Sequence, residues 1–220
     1  MTFYLSSPSN QMQADHCRGQ PVLLSYGTFR PWVNRFVPSF SKLLVDSGAF
    51  SVLNTAKGIC VDAFAEWASN YPNADAVASL DSIEGDWELG MRNWEKYPTH
   101  FPTFHDTDPW ECLDAILEKK PTWLGLGMKP PRDKSDWLDE TLERIPPGIH
   151  VHGWALIRYA DRGSLNSFDS TNWVRESWQI AKSFPWLTSG EALEIMVKRY
   201  ERMARKIRNP KKELCLFNTP

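Results

Sequence analysis

The sequence predicts an α/β fold of the compact (β/α)8 TIM-barrel type that ends in C-terminal helices. Three observations carry this. Short apolar runs recur eight times along 220 residues. Amphipathic stretches separate them, as crossover helices separate parallel strands. Three of the runs end in an aspartate followed by a small residue, which is where a β/α barrel carries its chemistry.

In chain order, the expected strands are 3–6, 22–25, 43–46, 76–81, 102–105, 123–127, 150–154 and 167–169. Amphipathic segments at 61–70, 87–95, 109–119 and 134–144 supply helices between them. At 220 residues the barrel would be small, with some connections too short for full helices. An open doubly wound sheet is the alternative, but no GxGxxG turn supports it. Near the end, Thr188-Ser-Gly-Glu191 reads as a capping box. Leu193, Met196, Tyr200, Met203 and Ile207 then form one apolar stripe, and Pro210 stops a helix of about 189–209. No repeat or low-complexity linker interrupts the chain, so residues 1–220 are expected to form one domain.

Composition narrows the function. Hydrophobic residues at 42% and charged residues at 24% are ordinary for a soluble domain, and a net charge of −2 gives no bulk pointer to nucleic acid. The distribution is uneven, however. Lys198, Arg199, Arg202, Arg205, Lys206, Arg208, Lys211 and Lys212 stand against Glu201 alone. That run is either a phosphate-facing surface or a solvated helix face. Cys17, Cys60, Cys112 and Cys215 are scattered, with no CxxC pair, so free thiols in a reducing compartment are expected and no zinc site. The first residues have no secretory signal pattern, and no apolar stretch is long enough to span a membrane. A cytoplasmic protein is expected, in the host cytoplasm if the gene is viral.

The chemistry-bearing candidates sit at the strand ends. Asp46 closes Leu43-Leu44-Val45, Asp81 closes Ala76-Val77-Ala78-Ser79-Leu80, and Asp169 follows Ser167-Phe168. A carboxylate there acts as nucleophile, as general acid or base, or as a hydrogen-bond acceptor; alternatively each caps the turn that follows it. Phe50, just beyond Asp46-Ser47-Gly48-Ala49, suits stacking on a flat heterocycle or is simply core. Gly125 and Gly127 end a strand, where bare backbone can approach a ligand or allow tight packing. His105 ends another strand and could donate to a ligand carbonyl. His150 and His152 share one strand face; a metal pair is one reading, and His152 lining a ligand pocket is the other.

The succession Asp46-Ser-Gly-Ala-Phe50, Ser79-Leu-Asp-Ser82, Leu124-Gly-Leu-Gly127, His152-Gly-Trp154 and Phe168-Asp-Ser-Thr171 resembles the tRNA-guanine transglycosylase superfamily over about residues 43–175. The style is closest to its DNA-modifying branch, often phage-encoded, which exchanges guanine in DNA for a 7-deazaguanine. The resemblance implies Asp169 as the nucleophile at C1′ and Asp46 as a base-contacting, proton-handling aspartate. It implies Phe50 as the stacking ring and Asp81 as the reader of the base's N1–H and 2-amino group. His105 stands near a residue facing O6, Gly125 and Gly127 in a turn meeting the base, and His152 near the residue closing the pocket's other face. The expected activity is exchange of guanine in DNA for a preQ0-like 7-deazaguanine through a covalent Asp169 intermediate. No cofactor and no metal are implied, and the partners are DNA, ahead of RNA, and the free 7-deazaguanine base. Lys198, Arg199, Arg202 and Lys206 become candidate phosphate contacts. The family's tRNA enzymes carry an Arg-rich stretch and a Cys3His zinc site; this chain has neither, which disfavours tRNA as substrate. A nucleoside or DNA base hydrolase, a tRNA-directed transglycosylase, a non-catalytic nucleic-acid-binding barrel and a metal-dependent amidohydrolase are the other expectations.

Overall fold

A computed structural model describes residues 1–52, 58–82, 85–129 and 134–208. The side chains of Lys206, Ile207 and Arg208, together with Pro210, Lys211, Lys212 and Cys215, lie outside the described residues. All eight expected apolar runs form strands: β1 Thr2–Ser6, β2 Pro21–Ser25, β3 Lys42–Asp46, β4 Ala76–Val77, β5 Thr103–His105, β6 Trp123–Gly127, β7 His150–Trp154 and β8 Ser167–Ser170. They make one parallel α/β sheet in the order β4-β3-β2-β1-β8-β7-β6-β5.

The sheet curls but is not a barrel closed by ladders on every side. Among the described residues its end strands, β4 and β5, are linked by a single parallel bridge, Ala78 to Phe101. Phe101 N–H donates to the Val77 carbonyl at 2.8 Å, and Ser79 N–H donates to the Phe101 carbonyl at 2.7 Å. β4 is therefore shorter than the expected 76–81. Past Ser79 the Leu80 carbonyl accepts from Asn93 Nδ2 at 2.9 Å instead of from a strand, which draws the chain away from β5.

Alternation along each strand sorts the side chains into two layers. Tyr4, Leu23, Leu44, Ala76, Ala78, Phe101, Trp123 and Trp154 meet in one cluster on the concave side. Their outward neighbours pack beneath the helices. Phe3, Leu5, Val22, Leu24, Val45 and Phe168 join one outer cluster, and Phe104, Leu124, Leu126 and Val151 join another.

Among the described residues the helices are α1 Gln11–His16, α2 Ala49–Val52, α3 Val61–Ala68, α4 Trp87–Lys96, α5 Trp110–Glu118, α6 Ser135–Arg144, α7 Asn172–Ser183 and α8 Ser189–Arg208. Between β2 and β3, and between β7 and β8, only 3-10 turns intervene, the short connections expected of so small a chain. The α8 capping box forms: Glu191 N–H donates to Thr188 Oγ1 at 3.2 Å, and Thr188 N–H donates back to Glu191 Oε2 at 2.8 Å. Leu193, Met196 and Tyr200 are buried, and Tyr200 stacks on Phe3 with ring centroids 4.4 Å apart. Among the described residues no helix is long and apolar enough to cross a membrane.

Candidate functional site

A cavity of about 560 Å³ opens at the C-terminal ends of the strands. Ser6, Ser25, Asp46, His105, Gly127, Trp154 and Asp169 line it. Each is the last residue on the concave side of its strand, so the period-two alternation alone gathers seven strand ends around one hollow. Asp81, from the segment after β4, completes the acidic set. Three carboxyls that are 35 and 88 residues apart in sequence thus share one cavity, and their surroundings treat them differently.

Asp46 is held by the turn that follows it. Gly48 adopts φ +76°, and a Cβ there would overlap Ser25 Oγ and the Gly27 amide. That backbone turns the Gly48 N–H onto Asp46 Oδ2 at 2.9 Å. Burial, followed by repulsion from Asp81 and then Asp169, raises Asp46 to about 7 against the opposing pull of the Gly48 amide and the Ser25 hydroxyl.

Asp169 is held the opposite way. Oδ2 accepts from the Ser6 hydroxyl at 2.6 Å, and Oδ1 accepts from the Ala155 amide at 2.9 Å. The His152 ring stands behind it, with Nε2 3.6 Å from Oδ1. Burial works to raise this carboxyl, but His152, Ser6 and Ala155 together outweigh it and lower its pKa. Ala155 has a left-handed backbone at φ 54°, a strained conformation for a residue with a Cβ, and this points its N–H at the carboxylate.

Asp81 is tied to His105. His105 Nε2 lies 3.0 Å from Asp81 Oδ2, and Nδ1 lies 3.4 Å from Asp108 Oδ2. Burial opposes charging the ring, yet Asp108 and Asp81 dominate and raise His105 to about 9. The imidazolium therefore donates to both carboxylates at neutral pH. Gly127 makes room for this pair, since a Cβ there would sit 2.5 Å from His105 Cδ2.

Trp154 forms the floor, its Nε1–H donating to Thr103 Oγ1 at 3.1 Å. Gly125 and His152 lie one layer below the cavity and do not line it. A Cβ on Gly125 would run into the Trp154 indole, and the His152 ring, fully buried, packs against that indole with centroids 4.4 Å apart. Phe50, on α2 at the rim, is 65% exposed and lines the mouth. Lys129 and Arg158 bring positive charge to the same cavity.

None of the described basic side chains on α8 lines the cavity. Lys198 pairs with Glu194 at 2.5 Å, Arg199 with Glu176 at 3.1 Å, and Arg202 Nε donates to the Lys198 carbonyl at 3.3 Å. Among the described residues no group of three or more His, Cys, Asp or Glu side chains is arranged to hold a metal ion.

The sequence alone does not single out Ser6, Ala155, Trp154, Lys129 or Arg158. Ser6 ends the first apolar run and Trp154 the seventh, so counting inward positions to each strand end would have found both. Nothing in the sequence marks the left-handed backbone of Ala155. Neither a comparison with protein-family models nor one with curated proteins finds a match for this chain.

Proposed function

We propose that this protein is a base-exchange transglycosylase that replaces guanine in DNA with a preQ0-like 7-deazaguanine through a glycosyl ester on Asp169. The observation that supports this best is the divergence of two carboxyls in one cavity: Asp169 held ionised, Asp46 holding its proton near neutral pH. Such a pair supplies a nucleophile and a proton donor at the same pH. The order of motifs that resembles the transglycosylases supports the same reading.

In this mechanism an Asp169 oxygen attacks C1′ as the C1′–N9 bond breaks, and Asp46 gives its proton to the departing guanine. The incoming 7-deazaguanine gives its N9 proton to Asp46. Its N9 then attacks C1′ and displaces Asp169, so two inversions give retention. Asp81 Oδ1 accepts from the base edge while His105 fixes the other oxygen, and Phe50 covers the ring. One glycosidic bond replaces another, so no energy source is required. The product lacks N7 and cannot be protonated there, which hinders the reverse step. The target base must be turned out of a duplex or supplied single-stranded. The same reading takes the curled sheet as a TIM-type barrel whose β4/β5 seam is reduced to the Ala78–Phe101 bridge.

The test is to incubate guanine-containing DNA with a labelled 7-deazaguanine base. Label entering DNA with release of guanine and no abasic sites, abolished in Asp169→Asn, supports exchange. Guanine release with abasic sites and no uptake would assign the cavity to hydrolysis instead.

A further inference from the structure

Behind Asp169 lies a line of buried and half-buried polar groups that the exchange mechanism above does not use. β7 places His150 and His152 on the concave side of the sheet, and β8 places Ser167 and Asp169 there, with His152 opposite Ser167 in the parallel register. Ser167 is fully buried. Its Oγ lies 2.8 Å from His150 Nε2 and 2.9 Å from His152 Nδ1. His152, also fully buried, directs Nε2 towards Asp169 Oδ1 at 3.6 Å, and that nitrogen has no hydrogen-bond partner among the described residues.

We propose that His150, Ser167 and His152 form a one-directional hydrogen-bond chain through the interior of the sheet that orients and holds the Asp169 carboxylate. The direction follows from donor counting. A serine hydroxyl has one proton to give and lone pairs to accept with. A neutral His152 ring has one N–H to place; Nε2 faces a carboxylate and Nδ1 faces a hydroxyl, so that proton belongs on Nε2. Nδ1 then accepts from Ser167 O–H, and Ser167 Oγ accepts from His150 Nε2–H. Burial first, then His152, Lys42 and the N-terminal ammonium, depress His150 to about 4, so it is neutral at physiological pH and has a single N–H to place. Trp123 stacks on His150 with centroids 3.5 Å apart, and Tyr4 and Trp154 meet His152 through their rings. His152 is thus a positioning residue, Ser167 sets its tautomer, and His150 sets the orientation of Ser167. The catalytic consequence rests on the role proposed for Asp169; the hydrogen-bond chain itself does not.

The tautomers are read by long-range proton–nitrogen NMR correlation on protein labelled with ¹⁵N-histidine at pH 7. The expected result is His152 protonated on Nε2 with an acceptor-type Nδ1, and His150 protonated on Nε2. Ser167→Ala should move the His152 Nδ1 resonance and raise the protonation midpoint of Asp169, read from its carboxyl ¹³C shift. Ser167→Thr, which keeps the hydroxyl, should restore both. A wild-type His152 protonated on Nδ1 overturns the proposal without any variant, as does a Ser167→Ala protein with unchanged His152 and Asp169 resonances. If these resonances behave as expected while no base exchange is detected, the chain stands and the transglycosylase reading falls. If exchange is present, Ser167→Ala should shift the acid limb of its pH profile upward and Ser167→Thr should not.

Discussion

Asp46→Asn should make the protein more stable, by an amount that grows with pH. The wild-type carboxyl rises from its ordinary 3.8 to about 7 in the folded state. The folded protein therefore keeps a proton that the unfolded chain has released across this window, and stability declines as pH rises from about 4 to 7 before levelling off. A rise of that size corresponds to about 4 kcal/mol at alkaline pH. About 1.5 kcal/mol of it is already present at pH 5, so roughly 2–3 kcal/mol accrues between pH 5 and 8. Asparagine keeps an oxygen for the Gly48 N–H and removes the repulsion from Asp81 and Asp169. Any fixed cost of the substitution is the same at all pH values, so the slope is the informative quantity. The assay is urea unfolding of both proteins at intervals from pH 5 to 8.5, with m-values compared. A stability gap that stays constant over that range would refute the burial and charge repulsion assigned to Asp46.

Other substitutions probe the rest of the site. Ser6→Ala removes the 2.6 Å bond to Asp169 but keeps the Ser6 carbonyl that accepts from Trp173. Asp169 is lowered in the fold, so it contributes stability above its unfolded value that disappears as pH falls. Ser6→Ala should cost roughly 1.5–3 kcal/mol at neutral pH, with the deficit shrinking below about pH 4 in chemical denaturation. Gly48→Ala, at φ +76° and against Ser25 and Gly27, should cost about 2–4 kcal/mol by the same method; a cost below about 0.5 kcal/mol would argue against the tight turn. Gly127→Ala should push His105 off Asp81 and lower the His105 titration midpoint seen by NMR; an unmoved midpoint would mean the ring was not displaced. Replacing Lys198, Arg199 and Arg202 by glutamine should reduce the salt dependence of DNA binding, by about one in slope for each phosphate no longer neutralised. An unchanged slope removes α8 from the interface.

Most of the frame is legible in the sequence, because the eight apolar runs are short, bounded and separated by helical periodicity. Asp46, His105, Gly127 and Asp169 lie at strand ends, Asp81 follows four residues after β4, and the fold carries all five to the same cavity. His152 and Gly125 are expected beside them, yet each stands two residues before its strand's end. Two residues along a strand is about 6.6 Å of depth, enough to put both under Trp154. The partners of Asp169 are not readable, for a related reason. Ser6 is 163 residues away, and only the β1–β8 pairing brings it alongside. The basic run on α8 reads as a single charged face, but Glu176 from α7 and Glu194 from α8 itself answer part of it once the helices pack. The β4/β5 seam is shorter than expected because an apolar run of six residues looks like a strand, whatever its last carbonyls bond to.

The role of Asp169 is tested most directly by mass spectrometry of the protein quenched in acid during turnover with guanine-containing DNA. The expected result is a nucleotide joined by an ester to the peptide that contains Asp169, absent in Asp169→Asn and removed when free 7-deazaguanine is added. A protein that incorporates the labelled base at full rate while its Asp169 peptide remains unmodified would contradict it.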